Sequence, residues 1–297
     1  MSSIAVLDYR RLFTSYCSPL EPEATDVSPH LPGIDNIEAV LFDVYGTLVI
    51  SSSGDIGTIM DDSRGDIFSR MVKDELSLTL PENIIIDDLV KEEILQDHKT
   101  KRDLGTAFPE VEIRFIWQRV LKKIFPAQTY RSISQMAEDM ALLHELSRNR
   151  VWPMPGSRKL LEQLRNNFRL GIVSNAQFYT PLMMSSFFKD SYSAFEEHVC
   201  VWSYREGIAK PDPALFKKAL FNLGREYLAD PSRVLYVGND MLNDITPASS
   251  AGMRTLLFAG DSRSLRMRND DPRVAGVRPD RIVNSLDQIV KILGVGE

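Results

Sequence analysis

The chain has 297 residues, 43% apolar and 26% charged, with 16 glycines and 16 prolines. That balance excludes a disordered chain, whose low hydrophobicity could not offset the entropy of folding, and it excludes collagen-like and low-complexity ones. The net charge of −6 argues against a nucleic-acid partner, because an acidic surface gains nothing by releasing the counterions of a polyanion.

The length suits about two domains of roughly 150 residues each. The longest uninterrupted apolar runs, such as Ala39 to Phe42, are a few residues, against the about 20 that a membrane-spanning helix needs. Cys17 and Cys200 do not make a disulfide framework, and Asp8, Arg10 and Arg11 come before any signal-like apolar stretch. The expected compartment is the cytoplasm. One stretch departs from the acidic average: Arg254 to Arg281 carries seven Arg against four Asp, and reads as a solvated basic loop.

Taken in chain order, residues 1–33 read as an N-terminal arm, with a short helix over Ile4 to Tyr16 and then a proline- and acid-bearing stretch. Such an arm packs on the body or on a partner subunit. Ile37 to Val44 reads as a buried strand, a short apolar run closed by the turn signal Tyr45-Gly46-Thr47. Further runs of this type are Leu170 to Val173, Val234 to Val237 and Thr255 to Phe258, with a weaker one at Arg281 to Val283. Helical patterns lie between them at Ser157 to Asn167, Pro213 to Leu223, Asp244 to Gly252 and Ser285 to Leu293. Strands alternating with helices need crossover connections and so a parallel sheet covered on both faces.

Residues 53–150 break this alternation. They show four helical patterns, at Ile56 to Leu76, Ile84 to Arg102, Val111 to Phe125 and Ile133 to Leu146, and no convincing strand. The simplest account is an α/β core, 34–52 plus 151–297, with a helical cap inserted after its first strand.

In an open parallel sheet, ligands bind beyond the carboxyl ends of the strands. Those ends deliver Asp43, Tyr45 and Thr47, then Ser174 and Asn175, then Asn239, Asp240 and Asp244, with Lys210 in a loop before a helix. An aspartate at a strand end can act as a nucleophile. Carboxylates gathered at 43, 240 and 244 repel one another, and Mg²⁺ is the hard cation that suits such a set. Lys210 would neutralise Asp43 and a substrate anion, and Ser174 would donate to the transferring oxygens. Each signal is weak alone; the ordered conjunction is specific.

That conjunction resembles the haloacid dehalogenase superfamily of hydrolases and phosphatases. Phe42-Asp43-Val44-Tyr45-Gly46-Thr47-Leu48 is similar to its first motif, Val173-Ser174-Asn175 to the second, Lys210-Pro211 to the third, and Val237-Gly238-Asn239-Asp240-Met241-Leu242-Asn243-Asp244-Ile245 to the acidic fourth. The resemblance covers about residues 37 to 293 and implies a Rossmann-like core with a helical cap. It places Asp43 as nucleophile, with Tyr45, Thr47, Ser174, Asn175 and Lys210 around it. It implies Mg²⁺ held by Asp43, the Tyr45 backbone carbonyl, Asp240 and then Asp244.

Phosphatases of the superfamily usually carry a second Asp two residues after the nucleophile, as general acid and then base. Here Tyr45 stands in that place, and a phenol is a poor base at neutral pH. Asp-x-Tyr-Gly-Thr is shared with the 2-haloacid dehalogenases, which work without metal and expel a halide that needs no proton. Three readings follow: a Mg²⁺-dependent phosphatase of a small anionic metabolite, favoured by Asp240 and Asp244; a metal-independent 2-haloacid dehalogenase-like hydrolase; and a non-catalytic binding module. Arg64, Lys101, Arg102 and Arg114 are the cap residues considered for the substrate, Ser51 to Asp55 is a candidate hinge, and no role falls to His30, His98, His144 or His198. A homodimer through the arm or the cap is compatible with the pattern.

Overall fold

The computed structural model describes residues 7–52, 63–81, 84–224 and 230–295, with backbone alone for 63–65. Ile4, the hinge residues 53–55, Ile56, Met60 and the Arg64 side chain lie outside the described residues. In chain order the elements are α1 (Tyr9–Tyr16), β1 (Ala39–Phe42), β2 (Val49–Ser51), α2 (Ser63–Leu76), α3 (Ile86–Asp103), α4 (Ile113–Ile124), α5 (Tyr130–Arg148) and β3 (Val151–Pro153). There follow α6 (Ser157–Leu164), β4 (Arg169–Ser174), α7 (Tyr179–Phe188), β5 (Phe195–Trp202), α8 (Ser203–Glu206), α9 (Pro213–Leu223), β6 (Val234–Gly238), α10 (Thr246–Ser250), β7 (Arg254–Phe258), β8 (Arg281–Val283) and α11 (Asp287–Ile292).

Six strands form one parallel sheet in the order β5-β4-β1-β6-β7-β8. All four residues of β1 are buried, as a strand covered on both faces requires. Their side chains alternate. Val40 and Phe42 join the core shared with α6, α7 and α11, while Ala39 and Leu41 join Phe216 of α9 and Met253 on the other face. The chain leaves β1 toward β4 and β5 and then returns to β6 on the opposite side. The junction of β1 and β6 is therefore the point where connections diverge, the place where such sheets bind ligands. Phe42 is level with both Ile172 and Val237, so the three loops that follow emerge together.

Helices α2–α5 are inserted between β2 and β3, which pair antiparallel as a two-stranded stalk. Their core is aromatic: Phe68, Trp117 and His144 lie 5.2–5.7 Å apart, ring to ring. This is the helical insertion the sequence predicts. The stalk, β5 and α7 are not predicted. β2 and β3 have three residues each. β5 is an edge strand whose Glu196, Glu197 and His198 hide its apolar alternation. α7 buries Met183, Met184, Phe187 and Phe188, but Pro181 and Leu182 on its less buried face blur the helical stripe. Among the described residues, no helix is long and apolar enough to cross a membrane.

The arm is packed on its own body. Asp8 caps α1 by accepting from the amides of Arg10 and Arg11. Leu12 and Phe13 are fully buried, and Phe13 meets Phe187 of α7 edge-on at 6.1 Å. Tyr9 donates to Asp139 of α5 (2.8 Å), and Tyr16 donates to Glu75 of α2 (2.8 Å), which also pairs with Arg11. The chain then runs along β8, where His30 and Ile282 exchange backbone bonds of 2.8 and 3.2 Å. It covers an edge that would otherwise offer unpaired amides to other chains.

Burial pushes the Asp139 carboxyl up to about 6, against the Tyr9 hydrogen bond that favours its charge. The folded protein therefore holds this proton at pH values where the unfolded carboxyl, with an ordinary value near 3.9, has lost it. Stability should fall as pH rises from about 4 to 6. Asp139→Asn should remove that slope and be the more stable form at neutral pH, read by urea unfolding across the pH range.

Candidate functional site

The first motif leaves β1 as a tight loop. Gly46 has φ +80°, and a Cβ there would lie 2.6 Å from the Asn239 side chain and 2.7 Å from Ser264, so only glycine lets the loop close against the β6 edge. The Asp43 amide donates to Val237 O (2.9 Å), extending the β1–β6 ladder by one bond and delivering the carboxylate to the junction. Thr47 donates to Asn239 Oδ1 (3.1 Å), tying the first motif to the fourth.

Lys210 occupies the centre. Its ammonium, buried with 6% exposure, lies 2.7 Å from Asp43 Oδ1 and 2.6 Å from Asp244 Oδ1. Burial opposes the charge on Lys210, but Asp244 and Asp43 outweigh it and raise the lysine pKa. Asp244 is held on four sides. Its Oδ2 accepts from the amides of Asn239 and Asp240 (3.0 Å each), and Tyr236 OH lies 3.1 Å from its Oδ1. Burial pushes this carboxyl up, with Lys210 pulling it down.

Asn175 brackets the Lys210 peptide, accepting from its amide (2.7 Å) and donating to its carbonyl (3.4 Å). Its role here is to hold Lys210. Ser174 is fully buried and its hydroxyl donates to the Asn175 carbonyl (3.3 Å). It is not among the residues that line the cavity over Asp43. Tyr45 does line the cavity, with its hydroxyl 2.9 Å from Thr180 Oγ1. Burial, and then Glu145, drive its pKa far above the ordinary phenol value.

Residues 37–252 match the family described as "Hydrolase: haloacid dehalogenase-like hydrolase". The chain belongs to that family. Among curated relatives, a glyceraldehyde 3-phosphate phosphatase of Pyrococcus abyssi is 35% identical over 107 residues, 35% of this chain and 42% of that protein. The pyrimidine 5'-nucleotidase YjjG of Escherichia coli is 29% identical over 141 residues, 48% and 56% of the two chains. The chain thus spans about half the length of these relatives. A glyceraldehyde 3-phosphate phosphatase of Methanopyrus kandleri is 26% identical over 265 residues, 86% of this chain and 99% of that one. Among solved structures, a 2-haloacid dehalogenase from Pseudomonas syringae superposes with a TM-score of 0.58 at 23% identity, covering 87% and 98% of the chains, which shows the shared fold.

As a haloacid dehalogenase-like hydrolase the chain is expected to gather carboxylates for Mg²⁺, and the structure gives those carboxylates different partners. Asp240 Oδ1 accepts from the amides of Leu242 and Asn243 (2.8 and 3.2 Å), capping the π-helical turn Met241–Ile245. Its Oδ2 pairs with Arg268 (2.7 Å). Asp244 has both oxygens committed to Lys210, Tyr236 and the two amides. Asn239 supplies an amide, and its Oδ1 is taken by Thr47. Among the described residues, no group of three His, Cys, Asp or Glu side chains converges as a metal site. Mg²⁺ needs fewer, taking one or two carboxylates with waters and substrate oxygens, and Asp43 and Asp240 both line the cavity. Lys210 and Arg268 relieve the repulsion among the carboxylates.

The Arg-rich stretch after Gly252 is accordingly not a solvated loop. It wraps the fourth motif, with Arg266 N donating to Asn239 O (3.0 Å) and Met241 N to Arg266 O (2.9 Å). Its excess of arginine downstream of an acidic motif is the signal that points to this pairing. Tyr236 and Thr180 could not be found so: each reads as one more residue of a strand or helix. The insertion also presents different cations from those expected. Lys101 pairs with Asp97 (2.7 Å), and Arg114 pairs with Glu112 and Glu138 and stacks on Phe178. Arg70, Lys73, Lys91 and Arg148 line the cavity, and Lys101, Arg102 and Arg114 do not.

Removing one partner of a buried ion pair strands the other charge, at a cost of about 3–5 kcal/mol. Asp244→Ala should lower the unfolding free energy by that order. Adding Lys210→Met to it should lower stability by much less than the single losses summed, since the two groups share one network. Urea unfolding of the two singles and the double checks this.

Proposed function

We propose that this protein hydrolyses a small phosphorylated metabolite through a covalent aspartyl-phosphate on Asp43. The observation that carries the reading is the buried Lys210 ammonium 2.7 Å from Asp43, which orients one carboxylate oxygen and puts fixed positive charge where phosphoryl oxygens would lie. The relatives named as phosphatases support it. Residues 53–150 act as the cap closing on a core of 34–52 and 151–297, with 1–33 as a strap, and the free cysteines suit a reducing cytoplasm.

In the first step an Asp43 oxygen attacks phosphorus, and the bond from phosphorus to the leaving oxygen breaks with its electron pair on that oxygen. Water then attacks phosphorus, the Asp43 oxygen–phosphorus bond breaks, and inorganic phosphate leaves. Asp43 and Asp240 are the residues that would hold Mg²⁺, which when bound would offset charge on the phosphoryl oxygens. Tyr45 helps in neither step. Its hydroxyl is bonded to Thr180, and it is neither an acid nor a base near neutral pH. General acid catalysis is worth typically about 10²–10⁴-fold. Its absence favours leaving groups that depart without a proton, so aryl and acyl phosphates should be cleaved in preference to alkyl phosphates.

Two outcomes are expected. Phosphate release from p-nitrophenyl phosphate should be lost in EDTA and in Asp43→Asn, and with no base for the water the adduct should accumulate. Intact-mass measurement after quenching should show one phosphoryl group on Asp43. Release that survives EDTA, with no Mg²⁺-dependent rise in melting temperature, contradicts the Mg²⁺ assignment. Separately, Tyr45→Asp should raise the rate on alkyl phosphates more than on aryl phosphates, by about 10²-fold, in parallel kcat/KM measurements.

A second reading is supported by the same Tyr45. Asp43 would displace halide from a 2-haloacid at carbon and form an ester that water cleaves. Halide release across a panel of 2-haloacids, without phosphate release from phosphate esters, would select it.

A further inference from the structure

The loop between α3 and α4 bonds to the core through its backbone. Phe108 O accepts from Ala209 N (2.8 Å) and Glu110 N donates to Gly207 O (3.0 Å), so Pro109 and Ile208 form an antiparallel bridge. The next core residue is Lys210. The insertion is thus bonded through its backbone to the segment that carries the central lysine.

The half-buried side chain of Glu110 adds a second grip. Its Oε2 accepts from Ser203 Oγ (2.7 Å), and its Oε1 accepts from Gln177 Nε2 (3.2 Å) and from its neighbour Val111 N (2.9 Å). Gln177 answers from the core, donating to Val111 O (3.0 Å) and accepting from Ile113 N (3.0 Å) at the start of α4. Ser203 accepts from Ala176 N (2.9 Å). Residues 175–177 are therefore held by Glu110 through two partners. They act in turn on the reactive pair, because Asn175 brackets the Lys210 peptide and the Gln177 amide bonds Thr180 Oγ1 (3.3 Å), the partner of Tyr45.

From this we infer that Glu110 is a positioning residue: it is the latch by which the docked insertion sets Lys210 against Asp43. Its carboxylate grips Gln177 in the loop after β4 and Ser203 of α8, its backbone amide grips Gly207 in the loop before α9, and both loops hold the lysine. When the insertion lifts, Glu110 leaves Ser203 and Gln177, and the 207–209 bridge opens with it. The ammonium is then free to leave the nucleophile between turnovers. The inference rests on Asp43 and Lys210 as the reactive pair, which the phosphatase and dehalogenase readings share, and not on the substrate.

The test has readouts that need no substrate. Lys210 is buried, so a lysine-acylating reagent should label it slowly in the wild type, with the site read by peptide mass spectrometry. In Glu110→Gln its labelling should rise on the order of tenfold, as expected when a charge-assisted hydrogen bond is lost. Amide exchange at 175–177 and 207–210 should speed up with it, while β1, β6 and β7 keep wild-type protection. Ser203→Ala, which removes one of the two core partners, should shift the same signals in the same direction and serves if Glu110→Gln does not fold. Asp43→Asn should abolish turnover and leave exchange at 175–177 unchanged, which separates failure of the catalytic reading from failure of the latch. Wild-type Lys210 labelling and loop exchange in both Glu110→Gln and Ser203→Ala would overturn the proposal.

Discussion

A single ammonium group, Lys210 Nζ, sits buried between two carboxylates, and the arrangement of the site follows from making that burial tolerable. Taking ions out of water costs several kcal/mol each unless their remaining hydrogen-bonding capacity is met. Asp244 meets it with two backbone amides and a neighbouring tyrosine hydroxyl, and can do so only because β6 ends beside it. Gly238 follows from the same need: a Cβ there would lie 2.4 Å from the Asp244 carboxyl carbon. Asp43, Lys210 and Asp244 all line the cavity, but the Asp43 side chain is the more exposed carboxylate, 10% against 1% for Asp244, and its backbone is fixed by the ladder to Val237. The triad is thus asymmetric. Asp244 anchors the lysine from inside, and the lysine presents Asp43 to the cavity.

The same asymmetry separates the two acids of the fourth motif. A carboxylate that must anchor a buried cation has few lone pairs left for a second one, which sets Asp244 aside. Asp240 is close in sequence but differs in environment, being nearer the surface and opposite Arg268. Asn239 is an amide, so Asp43 and Asp240, each beside one cation, are the carboxylates at the cavity that a divalent ion would meet. The stretch from Arg263 to Arg268 belongs to this balance rather than to a docking surface, since its backbone is stitched to residues 239–241.

Much of this was legible in the sequence, for identifiable reasons. Buried parallel strands are continuous apolar runs, so β1, β4, β6 and β7 declared themselves, and the turn residues after them located the sheet edge where Asp43 and Lys210 meet. What failed to show was whatever depends on direction rather than type. Ser174 is the right residue in the right loop, but its hydroxyl turns to its own backbone. Asp240 and Asp244 look equivalent as letters four apart, yet one caps a turn and the other anchors a lysine. Lys101 and Arg114 were reasonable cap cations, but each has an acidic partner on its own or an adjacent helix that takes its charge away from the cavity. Elements such as β5 and α7 were missed because their hydrophobic pattern is degraded, by edge exposure in one and by apolar Pro181 and Leu182 on the less buried face of the other.

The arm and the insertion show how one chain connects remote parts to its reactive centre by short-range contacts alone. α1 touches α5 and α2 of the insertion through Tyr9 and Tyr16, and α7 of the core through Phe13. α7 in turn carries Thr180, the partner of Tyr45. The arm therefore packs on both bodies, and Tyr9 lines a pocket together with Glu112 and Gly207, beside the Glu110 latch. Two attachments constrain a hinged body more than one. A substituent at position 45 that needed room to move would conflict with that constraint. A tyrosine bonded to Thr180, with no proton to move, does not. The loss of the acid–base group and the tight attachment of the insertion are thus consistent features of the same design: a site that positions its nucleophile firmly and relies on the substrate to supply its own leaving group.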